Sequence, residues 1–192
     1  MSHKVDSKEN YLSNHLLIAM PSLQDSGFDH TVSLICEHNE EGAMGFVLNR
    51  PTNLHIGELF AQMDITVTAP LAKNNLLHNG GPVQPDRGFV IHTPVGNWDS
   101  TLEVTPEIGI TASSDILDAI ATGKGPEKHI VTLGYAGWSG GQLEQEISEN
   151  SWLSVPADLQ LIFDTDDAKR WESSAGRIGV DISSLTTEAG HA

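Results

Sequence analysis

The amino-acid sequence predicts a single domain of mixed α+β (α/β) class, with a β-sheet core flanked by about four short helices. Three observations carry that prediction. Short apolar runs rich in Val, Ile and Thr recur along the chain and are broken by turn residues. Four other stretches space their apolar residues at helical intervals. The two kinds of segment lack a regular βαβ rhythm, and strands run consecutively through 76–111, which disfavours a doubly wound parallel sheet. A chain of 192 residues with 39% hydrophobic content is long enough for one sizeable core, and no repeat or linker divides it.

Taken in order, residues 1–12 are polar and are expected to form a flexible N-terminal segment, ahead of a domain spanning 13–185. The strand-like runs are "HLLIAMP", "TVSLICEH", "MGFVLN", "GFVIHT", "TLEVT", "HIVTLGYA" and "LQLIF". Alternation in the second of these assigns Val32, Leu34, Cys36 and His38 to one face, and Ser33, Ile35 and Glu37 to the other. Ile56, Leu59, Phe60 and Met63 fall on one helical stripe. "SSDILDAIATG" opens on serines and closes on Gly123, with Ile116, Leu117 and Ile120 inward. In "GQLEQEISEN", Leu143 and Ile147 sit one turn apart and the glutamates are expected to face water. "DDAKRWESSAG" starts on aspartates, which suit a helix N-terminus. Residues 186–192, ending in "GHA", read as a polar C-terminal tail.

Charge narrows the function classes. Twenty-six acidic residues against 10 basic ones give a formal net charge of −16. Phosphate binding by nucleic-acid proteins depends on clustered Lys and Arg, so direct nucleic-acid contact is disfavoured. The arginines, at 50, 87, 170 and 177, are scattered. The single cysteine, Cys36, excludes an intrachain disulfide and any multi-cysteine zinc site. No signal peptide is expected from the polar N-terminus, and the longest apolar run, "LLIAMP", is too short to span a bilayer. These features predict a cytoplasmic protein with no membrane partner.

The most distinctive stretch is "LGYAGWSGGQLEQEI", residues 133–147. It lacks the lysine followed by Ser or Thr of a Walker loop, the G-x-G-x-x-G spacing of a dinucleotide site, and the G-x-S-x-G of a nucleophile elbow. Two readings follow. Amides at Gly140 and Gly141 could hold an anion at the following helix, or the glycines form a tight corner plugged by a buried Trp138. In "NGGPVQPDRGFVIH", Gly80, Gly81 and Pro82 set up a rigid turn before a strand carrying Arg87, which could fork onto an anionic ligand or pair with one of the many acidic side chains. In "GAMGFVLNRP", Asn49 and Arg50 sit where a proline ends a strand, a place suited to a ligand cleft or to an Asn-supported turn. Cys36 and His38 do not complete a metal site, and a buried thiol beside a histidine is the simpler reading. Nine histidines offer no H-E-x-x-H pattern, so neither a metal nor a cofactor is expected.

On these stretches, together with "LLIAMPSLQDSGFDHTVSLICEHNEEGAMGFVLNRP" and "WLSVP", the chain resembles the bacterial YqgE/AlgH family over nearly its whole length. The resemblance implies coiled, branching mixed sheets, a cytoplasmic setting, and regulation of the transcriptional kind; it brings no catalytic set. The residues themselves predict a non-enzymatic module that binds an unidentified protein or small molecule. Its expected cleft joins Asn49, Arg50, Gly80, Gly81, Arg87, Trp138 and Gln142. The alternatives are an enzyme, a hydrolase or transferase acting on an anionic substrate held by Arg50 or Arg87, and a transcriptional regulator.

Overall fold

The computed structural model describes residues 11–23, 27–70, 72 and 74–186. Most of the expected N-terminal segment (all but Tyr11 and Leu12) and of the C-terminal tail (all but Thr186) lies outside these residues. The strands are β1 (His15–Ala19), β2 (Val32–Asn39), β3 (Gly42–Val47), β4 (Pro51–His55), β5 (Leu76–Asn79), β6 (Val83–Thr93), β7 (Thr101–Glu103), β8 (Gly109–Thr111), β9 (Lys128–Ser139) and β10 (Trp152–Pro156). The helices are α1 (Ile56–Gln62), α2 (Asp115–Ala121), α3 (Gln142–Ser148), α4 (Leu159–Phe163) and α5 (Asp167–Gly176).

The sheet runs β10-β1-β2-β3-β9-β6-β8-β7, with β4 and β5 branching from it. β9, at twelve residues the longest strand, makes the branch possible. One edge pairs with β6 from Lys128 to Leu133, and again at Tyr135 after a register shift. The other edge is divided. Thr132 and Leu133 take β5 in parallel, whereas Ala136–Ser139 take β3 antiparallel. Between the two pairings lies Gly134 with φ +73°, where an L side chain would be strained and the strand can turn from one partner to the next. A mixed, branching α+β architecture is therefore present, as the sequence and the resemblance predicted.

Alternation distributes the core. Leu16, Ile18, Val32, Leu34 and Phe46 enter the main cluster with Trp171 of α5. Leu17, Ala19 and Ile35 face the opposite way, onto a second cluster with Trp138, Leu143 and Trp152 beneath α3. A third cluster lies under α1 and α2 and contains Ile56, Phe60, Ile116, Leu117 and Ile120. Met63, placed on the same stripe by its spacing, is 42% exposed.

Three expectations are corrected. "LQLIF" is a helix, α4, because Asp158 in extended conformation caps it by accepting from the Leu161 N–H at 2.8 Å. A five-residue apolar run is ambiguous between strand and buried helix, and the cap decides it. Cys36 and His38 do not share a face either. A bulge between Ile35 and Glu37 breaks the alternation, so Cys36 packs in the main core while His38 turns to Glu144 of α3. Pro51, expected only to stop the preceding strand, opens the edge strand β4, where its missing N–H costs no ladder bond.

Candidate functional site

The glycine-rich stretch proves to be a structural corner. Trp138 is buried, and its indole N–H donates to Glu146 Oε2 at 3.0 Å; Trp152 donates to the same oxygen at 2.9 Å. Gln142 accepts from the Ser139 backbone N–H and donates to Glu146. A side chain at Gly140 would meet the Glu40 carbonyl oxygen at 2.6 Å, so this turn abuts the acidic 39–42 hairpin and is poorly placed for an anion. The helix glutamates do not simply face water as expected. Glu146 gathers two indoles, and Glu144 accepts from the His38 Nε2–H, whose Nδ1 in turn accepts from the Leu12 N–H. The sequence could not show this, because the bulge that redirects His38 leaves no signal in the residue pattern.

The other two motifs explain one another. A Cβ on Gly80 would lie 2.4 Å from the Gly134 carbonyl oxygen, and one on Gly81 would lie 2.2 Å from the Tyr135 carbonyl carbon. The "NGGP" turn thus lies backbone against backbone on the bend of β9, and the glycines of both stretches are required by that contact. The turn also meets the "NRP" strand end, because the Asn79 N–H donates to the Arg50 carbonyl at 2.8 Å.

Asn49 works as a clip. Its Oδ1 accepts from Val32 N–H and its Nδ2 donates to the His30 carbonyl, both at 2.9 Å, so the loop before β2 is fastened to the end of β3. Arg50 donates to the Asp29 carbonyl at 2.5 Å and lines two depressions. One, of about 540 Å³, is walled by His30, Asn49, Asp167, Trp171 and Glu172. The other, of about 430 Å³, is walled by Phe28, Val47, Asn79 and Gly81. The His30 ring packs on Trp171 at 4.2 Å.

Behind this face stands a residue that sequence reasoning passed over. Arg170 of α5 is buried, and all five of its N–H donors are used. They reach the carbonyls of Leu48, Leu161, Ile162 and Thr165 and the Asp167 carboxylate, at 2.5–3.2 Å. Asp167 also accepts from His78 Nε2 at 2.9 Å. Burial pushes the Asp167 carboxyl upward, but the hydrogen bonds and charges of His78 and Arg170 outweigh it and leave it below the usual carboxylate range. Arg170 stands beside Lys169 in a helix with as many basic as acidic residues, and nothing in the sequence signals this role.

Arg87 lies elsewhere. It borders a cavity of about 460 Å³ between α1, α2 and β6, and none of the described residues lines both this cavity and an Arg50 depression. Asn49, Arg50, Gly80 and Gly81 therefore converge, whereas Arg87 occupies a second region and Trp138 and Gln142 a third. The sequence could not separate them, because nothing in it says which edge of β9 each neighbour takes. Among the described residues Arg170 and Arg177 have carboxylate partners; Arg50 and Arg87 have none within ion-pair distance.

Burial, with Glu37 nearby, pushes the Cys36 thiol far above its ordinary value, which removes thiolate chemistry. No group of three or more His, Cys, Asp or Glu among the described residues could hold a metal. Among the described residues there is one hydroxyl–imidazole pair: Thr111 Oγ1–H donates to His92 Nε2 at 2.7 Å, while His92 Nδ1–H donates to the Pro94 carbonyl. Burial lowers the pKa of His92 against the opposing Pro94 bond, and burial likewise lowers that of His129. The unfolded chain therefore takes up protons first as pH falls through about 6.5, and stability is fully present above that pH and declines below it. Urea midpoints are expected to fall between pH 7.5 and 5.5. A His92→Gln/His129→Gln variant, though less stable throughout, should give a flatter profile, and equal slopes would contradict this assignment. The stability that Asp167 contributes is fully present above its ordinary value near 3.8 and is lost only below it, as pH falls towards its lowered folded value.

The fold and this face define a class before they define a lineage: a branched-sheet α+β protein presenting an arginine-centred surface. The chain belongs to the AlgH-like family, whose profile matches residues 16–183. It is 46% identical to AlgH from Pseudomonas aeruginosa, whose solution structure superposes with a TM-score of 0.78 and full coverage of both chains. A UPF0301 protein of Stenotrophomonas maltophilia is 52% identical over 94% of this chain and 96% of its own. A crystal structure of a Corynebacterium diphtheriae protein, 22% identical with 92% coverage of each chain and a TM-score of 0.69, shares the fold. No helix among the described residues is long and apolar enough to cross a membrane.

Proposed function

We propose that the chain is a cytoplasmic, non-enzymatic binding module that acts by engaging a protein or small-molecule partner at Arg50. One observation carries this reading. In a protein of net charge −16, Arg50 has no carboxylate within ion-pair distance among the described residues, and it is held by the Asp29 carbonyl between two depressions. A guanidinium left with unused donors at a concave surface is a ready recognition point for carboxylate or amide oxygens. The acidic walls at Asp167 and Glu172 favour a partner that also carries donors, and they oppose a nucleic acid. Regulation would then operate through this partner and not through DNA.

Affinity capture from native cells, with co-purified proteins and small molecules both identified, tests the reading. Species recovered with the natural chain and lost with Arg50→Glu are expected; identical recovery would remove Arg50 as the contact. A gel shift at low salt is expected to show no complex with nonspecific DNA.

A second reading, a hydrolase or transferase on an anionic substrate, is favoured only by the Thr111–His92 pair, because Thr111 also borders the Arg87 cavity. Turnover in a broad substrate screen that Thr111→Val abolishes would support it, and a flat screen would dismiss it.

A further inference from the structure

The Arg87 cavity has features that the Arg50 face lacks. It measures about 460 Å³, within the range of small-molecule sites, and its floor is apolar: Leu59 and Met63 from the α1 region, Leu117 from α2, and Val90, Val131 and Leu133 from β6 and β9, while Phe89 at its border turns its ring to Phe46 and Tyr135 in the main core. Met63 leaves a flexible thioether exposed at the lip, which suits an adaptable apolar contact. Its mouth holds two polar groups with little to do. Among the described residues Arg87 donates only to the Gln84 amide oxygen, at a long 3.3 Å, and its guanidinium carbon lies 5.1 Å from the Phe89 ring. Ser114, at the start of α2, makes no side-chain bond to its own helix.

The sequence left Arg87 between an anionic ligand and an acidic partner on the chain. Among the described residues no acidic partner is found, although Asp86 is adjacent. The Phe89 ring, 5.1 Å from the guanidinium carbon, consumes none of its N–H donors, and these remain available at the border of an apolar cavity. We infer that this cavity binds a small amphipathic monoanion, an aliphatic or aromatic carboxylate. The apolar body lies between α1 and α2, and the carboxylate takes the Arg87 fork and the Ser114 hydroxyl. Asp86 at the same rim opposes a second negative charge, which argues for a carboxylate over a phosphate dianion.

Titration of the full ¹⁵N-labelled chain with octanoate, 1-octanol and octyltrimethylammonium tests this directly. Octanoate is expected to shift the amides of residues 86–90, 111–114 and 131–133, and to bind about tenfold more tightly than octanol. Octyltrimethylammonium should bind most weakly. Arg87→Gln should bring octanoate to the level of octanol while octanol binding persists, with the unperturbed remainder of the spectrum reporting an intact fold. Octanoate binding no tighter than octanol, shifts centred on other residues, or an Arg87→Gln variant with undiminished preference for octanoate would each overturn the proposal. The Arg50 reading would be untouched by any of these results, since it concerns a different surface.

Discussion

Arg170→Ala is expected to cost about 3–5 kcal/mol, enough to leave much of the chain unfolded at moderate urea. The side chain is buried, and its five donors close the C-terminal end of α4, the end of β3 at Leu48 and the first turn of α5. Its removal strands four carbonyls and leaves the Asp167 carboxylate with His78 alone. Each orphaned buried acceptor adds to the loss. Arg170→Lys keeps the charge, but a compact ammonium cannot reach five acceptors in a fork, so it should recover less than half of the lost stability. Equilibrium urea unfolding followed by tryptophan fluorescence checks both variants. A midpoint unchanged in Arg170→Ala would show that the network is idle.

The second large effect is expected at Gly81→Ala, with a loss of about 3–5 kcal/mol. The new Cβ would lie 2.2–2.4 Å from the Tyr135 carbonyl and the Ala136 nitrogen, all backbone atoms, at a φ of +149° that L side chains rarely adopt. No rotamer change relieves such a clash, so either the 79–82 turn or β9 must move. Gly176→Ala supplies the control. Nothing lies within 4 Å of its Cβ position at the end of α5, and stability should change by no more than about 0.5 kcal/mol. Comparable losses in the two variants would refute the close-approach account.

Much of the fold was legible because alternation and helical spacing report on burial. β1, β2 and β9, and the inward residues of α2 and α3, follow from pattern alone. What was not legible has a common cause: it depends on contacts between segments distant in sequence. α4 hinged on whether Asp158 would cap it, and His38 on a bulge that no residue type announces. Of the seven expected cleft residues, Asn49, Arg50, Gly80 and Gly81 meet because the "NGGP" turn must settle where β9 bends. Arg87, Trp138 and Gln142 lie elsewhere because β9 carries different neighbours along its two edges. Arg170 escaped notice since a buried, fully bonded guanidinium looks in sequence like any surface arginine.

The divided edge of β9 also bears on how the protein opens and closes. With β3, β5 and β6 all anchored on one strand, neither half of the sheet can release its inner strand without breaking the other half's pairing. Partial unfolding should therefore be confined to the margins, at β7 and the β4 edge. The amides of 130–137 should exchange with solvent deuterium only through global opening, the slowest in the molecule. Residues far apart in the chain must be gathered before β9 is complete, so folding should be slow for a domain of this size and cooperative.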